Sequence, residues 1–308
     1  MARFTTNFQS EALKRPISIE IIIPSDHAVM MTPGAGIPKR NKPFKTLYLL
    51  EGVTGNASGP FNYSNMMPLV EDYNLAVVCL GGENKWWGNS DFTGDCFSDM
   101  VIDAVNFTRS AFNLSQKRED TFIGGFSMGG YGTFVIGFQH PELFSHIISM
   151  NAALNKPVIL GSSNEVTWDL FFKRHYEAMF GCKDISEYEN SENDYEYLAG
   201  EVAKKMTKEE LPRVFISAGT EDGLYQGSVD YSKMLKDLGY DVTWVDVEGN
   251  HSWYSFEKGI EAAVKWLPTE DNFCGNMIYY GRNAHIDATN YAHWNSFYNI
   301  EARERAEK

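Results

Sequence analysis

Ser127 stands in Gly125-Phe126-Ser127-Met128-Gly129, a G-x-S-x-G match. It lies between a short apolar run over residues 121–123 and an apolar segment over residues 131–138. A serine hydroxyl is a weak nucleophile at its free pKa and needs an adjacent base. Strand, sharp turn and helix form the setting in which such a serine is exposed at the end of a sheet. The flanking glycines fit that reading, because a strained turn brings strand and helix too close for a Cβ two residues either side of the serine. The helix N-terminus then lies beneath Ser127, where its dipole and free N–H groups favour a developing negative charge. A glycine-rich turn without chemistry has the same local composition. The rest of the chain must therefore supply a base, an acid and donors for an oxyanion.

Seven histidines are available: His27, His140, His146, His175, His251, His285 and His293. His251 sits in a short loop between the last strand pattern, residues 241–247, and the last helical pattern, residues 252–266. His140 and His146 flank Pro141 beyond the helix that follows Ser127, where a structural role is expected. His285 and His293 lie in the C-terminal tail and are the fallback bases. The acid should follow a strand between Ser127 and His251. Glu221 and Asp222 both do, after the run at 213–217, and Asp222 is preferred. A loop cap or a surface charge is the plain alternative for each. The acid would hold the imidazole tautomer and stabilise imidazolium. The oxyanion donors expected are the backbone N–H of Met128 and one from Gly52-Val53, in the turn after the strand at 46–50. Trp86 and Trp87 follow the strand at 75–80 on the same edge. They are expected to wall an apolar substrate pocket, or else to cover the sheet.

Strand patterns recur at 17–23, 46–50, 75–80, 121–123, 146–150, 213–217 and 241–247. Helical patterns fall between them at 63–70, 97–112, 131–138, 229–238 and 252–266. This alternation predicts an α/β fold with a mostly parallel central sheet, helices on both faces and right-handed crossovers. Every candidate group then falls just after a strand, so all converge on the crevice outside the carboxyl ends. The first strand, 17–23, is expected to be antiparallel at the sheet edge. The pattern loosens over 151–211, with a helix expected at 168–179, and reads as an insertion over the active edge. One domain is expected over 1–268. The tail 269–308 is a separate extension, dense in aromatics such as Phe273, Tyr279, Tyr291 and Trp294. It is expected to pack on the domain or on a neighbouring subunit, so a homo-oligomer stays open.

The chain has 308 residues, 43% hydrophobic and 22% charged, which suits a large globular domain. A net charge of −14 argues against nucleic acid or an anionic membrane surface as a partner. No segment is long and apolar enough to span a bilayer, and residues 1–8 carry no apolar leader core. The four cysteines, Cys79, Cys96, Cys182 and Cys274, lack metal-type spacing. A reducing cytoplasm is the expected location. Metal and nucleotide signatures are absent from the sequence, and no cofactor is expected.

Four blocks together resemble the esterase D-like α/β-hydrolases. They are Leu49-Leu50-Glu51-Gly52-Val53-Thr54-Gly55-Asn56, the stretch from Phe122 to Gly132, Gly219-Thr220-Glu221-Asp222, and Gly249-Asn250-His251-Ser252-Trp253. That family includes tributyrin, feruloyl and acetyl xylan esterases and S-formylglutathione hydrolases. The resemblance covers roughly residues 17–268. It implies a serine ester hydrolase with Ser127, Asp222 and His251 as triad and Val53 and Met128 as oxyanion donors. The implied substrate is a small-molecule or saccharide-linked ester of acetyl, butyryl or feruloyl type. An acyltransferase or thioesterase using the same intermediate is the alternative, and an inactive binding protein on the same fold is another. Two departures stand out. Glu51 replaces the histidine or serine usual before the glycine, and the tail has no familiar counterpart. An ionised carboxylate beside a developing oxyanion would repel it. The Glu51 side chain is therefore expected to turn aside, held by a cation or polar donor behind the loop, or else protonated.

Overall fold

The structure, a computed structural model, describes residues 2–24, 42–91, 93–154, 179–181 and 185–270. The described residues fall in one compact unit, Met1–Gly275. The expected helix at 168–179 lies outside them, apart from Met179, and so does the tail from residue 271.

Eight strands form one sheet: β1 (Ala2–Ser10), β2 (Arg15–Ile23), β3 (Lys45–Leu50), β4 (Leu75–Leu80), β5 (Thr121–Phe126), β6 (His146–Met150), β7 (Arg213–Gly219) and β8 (Val242–Val247). Their order is β1-β2-β4-β3-β5-β6-β7-β8. Pairing is antiparallel among β1, β2 and β4 and parallel from β4 to β8. The strand at 15–23 is antiparallel as expected, but it is not the edge. β1 pairs along its whole length and takes that place. From Thr6 onward, Thr6, Phe8 and Ser10 turn inward between the exposed Asn7 and Gln9, a half-buried edge-strand pattern.

The central strands are apolar throughout because both faces are covered. Their side chains alternate between two cores. Tyr48, Leu50, Val78, Ile123, Ile147 and Ile216 face one core, together with residues of α3 (Phe97–Ala111) and α4 (Met128–Gln139). Leu47, Leu49, Val77, Phe122, Ile148 and Phe215 face the other, against α1 (Gly59–Tyr63), α2 (Met66–Asp72) and the last described helix, Trp253–Trp266. From Met128 to Phe138, α4 is buried at every position, which accounts for its all-round apolar sequence.

Between β6 and β7 the described residues hold α5 (Ile185–Tyr188) and α6 (Tyr195–Lys205). Asp194 caps α6, its carboxylate accepting the N–H groups of Glu196 and Tyr197. Tyr131 Oη on α4 donates to Asn193 O at 2.7 Å and so does Tyr188 Oη at 2.6 Å, which ties this segment to the elbow helix. Next come α7 (Tyr225–Asp237) and, after β8, α8 (Trp253–Trp266).

Candidate active site

Ser127 occupies the turn between β5 and α4 at φ 57° and ψ −120°. Non-glycine residues are uncommon at positive φ, and such strain gathers at functional sites. The surroundings hold it in place. A Cβ on Gly125 would collide with the Gly129 backbone, and one on Gly129 would collide with the carbonyl oxygens of Leu50 and Glu51. Only glycine at both positions lets α4 start this close to β3 and β5. The Ser127 N–H donates to Met150 O at 3.0 Å, and its carbonyl accepts from Tyr131 N at 3.2 Å and Ala153 N at 3.1 Å.

His251 comes from the β8–α8 loop. Its Nε2 lies 2.9 Å from Ser127 Oγ, and its Nδ1 lies 2.7 Å from Asp222 Oδ2. Its ring meets Phe256 edge-on, with centroids 5.2 Å apart. Asp222, in the β7–α7 loop, is buried. Its Oδ1 accepts the Leu224 N–H at 2.9 Å and its Oδ2 accepts Asn151 Nδ2 at 2.7 Å. Burial opposes ionisation of Asp222, but the hydrogen bonds from His251, Asn151 and Leu224 outweigh it and hold the carboxyl below its ordinary range. Glu221 is exposed, and only its N–H is engaged, with Gly249 O. The structure thus brings Asp222, not Glu221, to His251. His140 follows α4 and His146 lies in β6, away from the carboxyl ends. The fallback bases His285 and His293 lie outside the described residues.

The turn after β3 and the start of α4 both adjoin Ser127. Met128 is the first residue of α4, so its N–H has no acceptor within the helix. Gly52 lies against the serine, since a Cβ there would sit 3.1 Å from Ser127 Cβ. Val53 follows it in the turn after β3.

Glu51 is buried, and its side chain reaches across to the β4 loop, where Oε1 accepts the Gly82 N–H at 2.9 Å. β4 and β5 flank β3 on opposite sides, so this contact lies on the side away from Ser127. A backbone donor therefore holds the side chain. Burial, only partly offset by hydrogen bonds from Gly82 and Glu83, also pushes its pKa up to about 7.

Trp86 and Trp87 lie in the core on the α3–α4 side of the sheet. Both are buried, Trp87 completely. The Trp87 indole packs where Gly82 and Gly132 lack side chains, and its Nε1 donates to Glu51 O at 3.1 Å. Trp86 meets Tyr131 edge-on in the same core. Asn151 is the polar residue that sequence reasoning passed over. Its position directly after a central strand is the signal that could have found it. Among the described residues no group of three or more His, Cys, Asp or Glu could hold a metal ion, and no helix is long and apolar enough to cross a membrane.

Comparison with known proteins shows the family. The Esterase family model (Putative esterase) matches residues 104–267, more than half of the chain. An acetyl esterase of Caldicellulosiruptor saccharolyticus is 33% identical over 270 residues, covering 87% of this chain and 98% of the relative. Among solved structures, the fluorophosphonate-binding serine hydrolase FphF of Staphylococcus aureus is similar at TM-score 0.72 and 25% identity. The S-formylglutathione hydrolase FrmB of the same organism is similar at 0.71 and 25% identity. Each likeness covers 86% of this chain and 98% of the other. A ferulic acid esterase, 14% identical at TM-score 0.66, shares the fold. The chain belongs to the esterase family of α/β-hydrolases, and it is a serine carboxylic-ester hydrolase.

Proposed function

We propose that this enzyme hydrolyses esters of short acyl groups, acetyl foremost, through an acyl-enzyme on Ser127. The observation that carries the reading is the continuous series Ser127 Oγ, His251 Nε2, His251 Nδ1 and Asp222 Oδ2 at 2.9 and 2.7 Å. His251 Nε2 takes the Ser127 proton as Oγ attacks the ester carbonyl carbon. The carbonyl oxygen becomes an oxyanion held by the N–H groups of Val53 and Met128, with the α4 dipole adding to them. Collapse breaks the bond to the alkoxy oxygen, which leaves as an alcohol with the proton from His251. Water then attacks the acyl-enzyme, giving its proton to His251, and the acid leaves as Ser127 is restored. Asp222 stays ionised throughout and holds the imidazole by Nδ1.

The acetyl preference draws support from the acetyl esterase likeness. The likeness to an S-formylglutathione hydrolase favours a second reading, in which the same intermediate serves a thioester or passes its acyl group to a thiol. Cys79 and Cys96 are free, which agrees with a reducing, cytoplasmic setting.

The test compares wild type with Ser127→Ala. Wild type is expected to label with a fluorophosphonate, and the folded variant is expected not to label and to lose kcat by ~10⁴ or more. A folded Ser127→Ala protein with near wild-type ester turnover would sink the reading. Acetyl, butyryl, octanoyl and feruloyl esters rank the acyl group. Product analysis with added alcohol or thiol separates transfer from hydrolysis.

A further inference from the structure

The turn after β6 holds both ends of the catalytic series. Asn151 is fully buried at φ 45°, a region that asparagine tolerates better than most residues. Hydrogen bonds from residues 150–153 reach Ser127, Ser217 and Asp222. Met150 O accepts the Ser127 N–H at 3.0 Å, and the Ala153 N–H donates to Ser127 O at 3.1 Å. The Asn151 N–H donates to Ser217 O at 2.8 Å, and Asn151 Nδ2 donates to Asp222 Oδ2 at 2.7 Å. That Oδ2 is the oxygen facing His251 Nδ1, while the Leu224 N–H occupies Oδ1. Donors from the β6 turn and the α7 entry thus fix the carboxylate at both oxygens.

We propose that Asn151 is a positioning residue for the ester hydrolysis. It aims and weakens the acceptor strength of Asp222 Oδ2, while its turn clamps the Ser127 backbone. The proposal rests on the reading of Ser127, His251 and Asp222 as the catalytic series. A second donor on Oδ2 draws negative charge from that oxygen and so limits its pull on imidazolium. Without Asn151 the carboxylate becomes a stronger but poorly aimed acceptor. The surrounding groups leave this effect readable. Ser127 from the elbow and Phe256 from α8 bring no charge, Glu221 is exposed, and Glu248 is exposed and paired with Lys258 at 3.4 Å.

The experiment uses Asn151→Gly in the full chain. Glycine adopts the positive φ without strain, so the backbone bond to Ser217 persists and only the side chain is lost. On an acetyl ester, kcat is expected to fall roughly ten- to a hundredfold, as for loss of a hydrogen bond to a charged group. KM should stay within about twofold, the pattern of an interaction that matters in the transition state. The acidic limb of the kcat/KM profile is expected to move to higher pH, and the low-field proton resonance of His251 Nδ1–H to shift. A structural tie between β6 and β7 would lower the melting temperature and move neither the limb nor the resonance. Asn151→Asp keeps size and backbone preference but sets a carboxylate against Asp222. It is expected to lose more activity than Asn151→Gly at neutral pH. The proposal is overturned if folded Asn151→Gly, or Asn151→Asp where glycine does not fold, keeps kcat within about twofold of wild type with an unmoved acidic limb. Fluorophosphonate labelling of wild type separates this from failure of the underlying reading, since wild type that neither labels nor turns over ester defeats the series itself.

Discussion

At the scale of single residues, Glu51 and His146 are two buried groups whose charged forms are disfavoured by burial. Burial raises the Glu51 pKa from 4.5 to about 7. The folded chain then binds more protons than the unfolded chain between those values, so stability falls as pH rises through that window. Glu51→Gln keeps an oxygen for the Gly82 N–H and removes the titration. Its stability relative to wild type should rise from pH 5 to pH 8, by a change on the order of 3 kcal/mol. A difference that does not change with pH would show that Glu51 titrates as an ordinary carboxyl. Most activity should survive this change, because the side chain lies on the far side of β3 from Ser127. Glu51→Ala, which also frees Gly82, should lower kcat modestly by loosening the turn that carries Val53. The Trp86–Trp87 pair teaches a related lesson. Its place after a strand points to the crevice, but Gly82 and Gly132 leave space inside, and the Trp87 indole fills it.

At the scale of elements, the elbow depends on close approach and the segment between β6 and β7 on a few hydrogen bonds. Gly129→Ala sets a methyl group against two backbone carbonyls that cannot give way. Overpacking of this kind costs about 1–3 kcal/mol or more, and it should also displace Ser127 from His251. Melting and activity assays should therefore fall together for this variant. Tyr131→Phe removes one of the two hydroxyls on Asn193 O. A loss of about 1 kcal/mol is expected, with faster amide exchange confined to α5 and α6. Uniform exchange across the chain would show that Tyr131 supports the core instead. α6 itself was legible in principle. Asp194 as cap, Glu196 in the first turn and Lys204 and Lys205 in the last are helix signals, masked by the acidic, polar run that precedes them.

At the scale of the whole molecule, two opposed proton linkages meet. Burial, reinforced by Arg213, Arg118 and Lys45, pushes the His146 pKa down to about 4 from 6.5. The folded chain binds fewer protons than the unfolded chain in that window, so His146 contributes stability that is lost as pH falls through it. The Glu51 linkage has the opposite sign over an overlapping range. The sites lie at opposite ends of their strands, with β5 between β3 and β6, so their effects should add. Wild-type stability should thus change little with pH between about 4.5 and 6.5 on account of these two groups. His146→Asn should uncover the Glu51 slope, with stability falling as pH rises, and Glu51→Gln should uncover the His146 slope in the other direction. Two single variants with the same slope as wild type would show that neither linkage operates.

The alternation of apolar runs and helical periods determined an α/β sheet covered on both faces, because burial on both sides demands continuous apolar strands. The G-x-S-x-G turn and the order Ser127, Asp222, His251 likewise determined which loops could meet, since parallel strands put all their C-terminal ends on one edge. Local pattern preferred Asp222 but left Glu221 open as the acid. Adjacent loop residues point in different directions, and only the path of the β7–α7 loop turns Asp222 to His251. Nor could it place β1 at the edge, since strand neighbours are set by long-range pairing that no window of sequence contains. Glu51 and Asn151 belong to the same class. What each does depends on a partner from another strand's loop, Gly82 for one and Asp222 for the other, and those partners exist only once the sheet has brought the loops together.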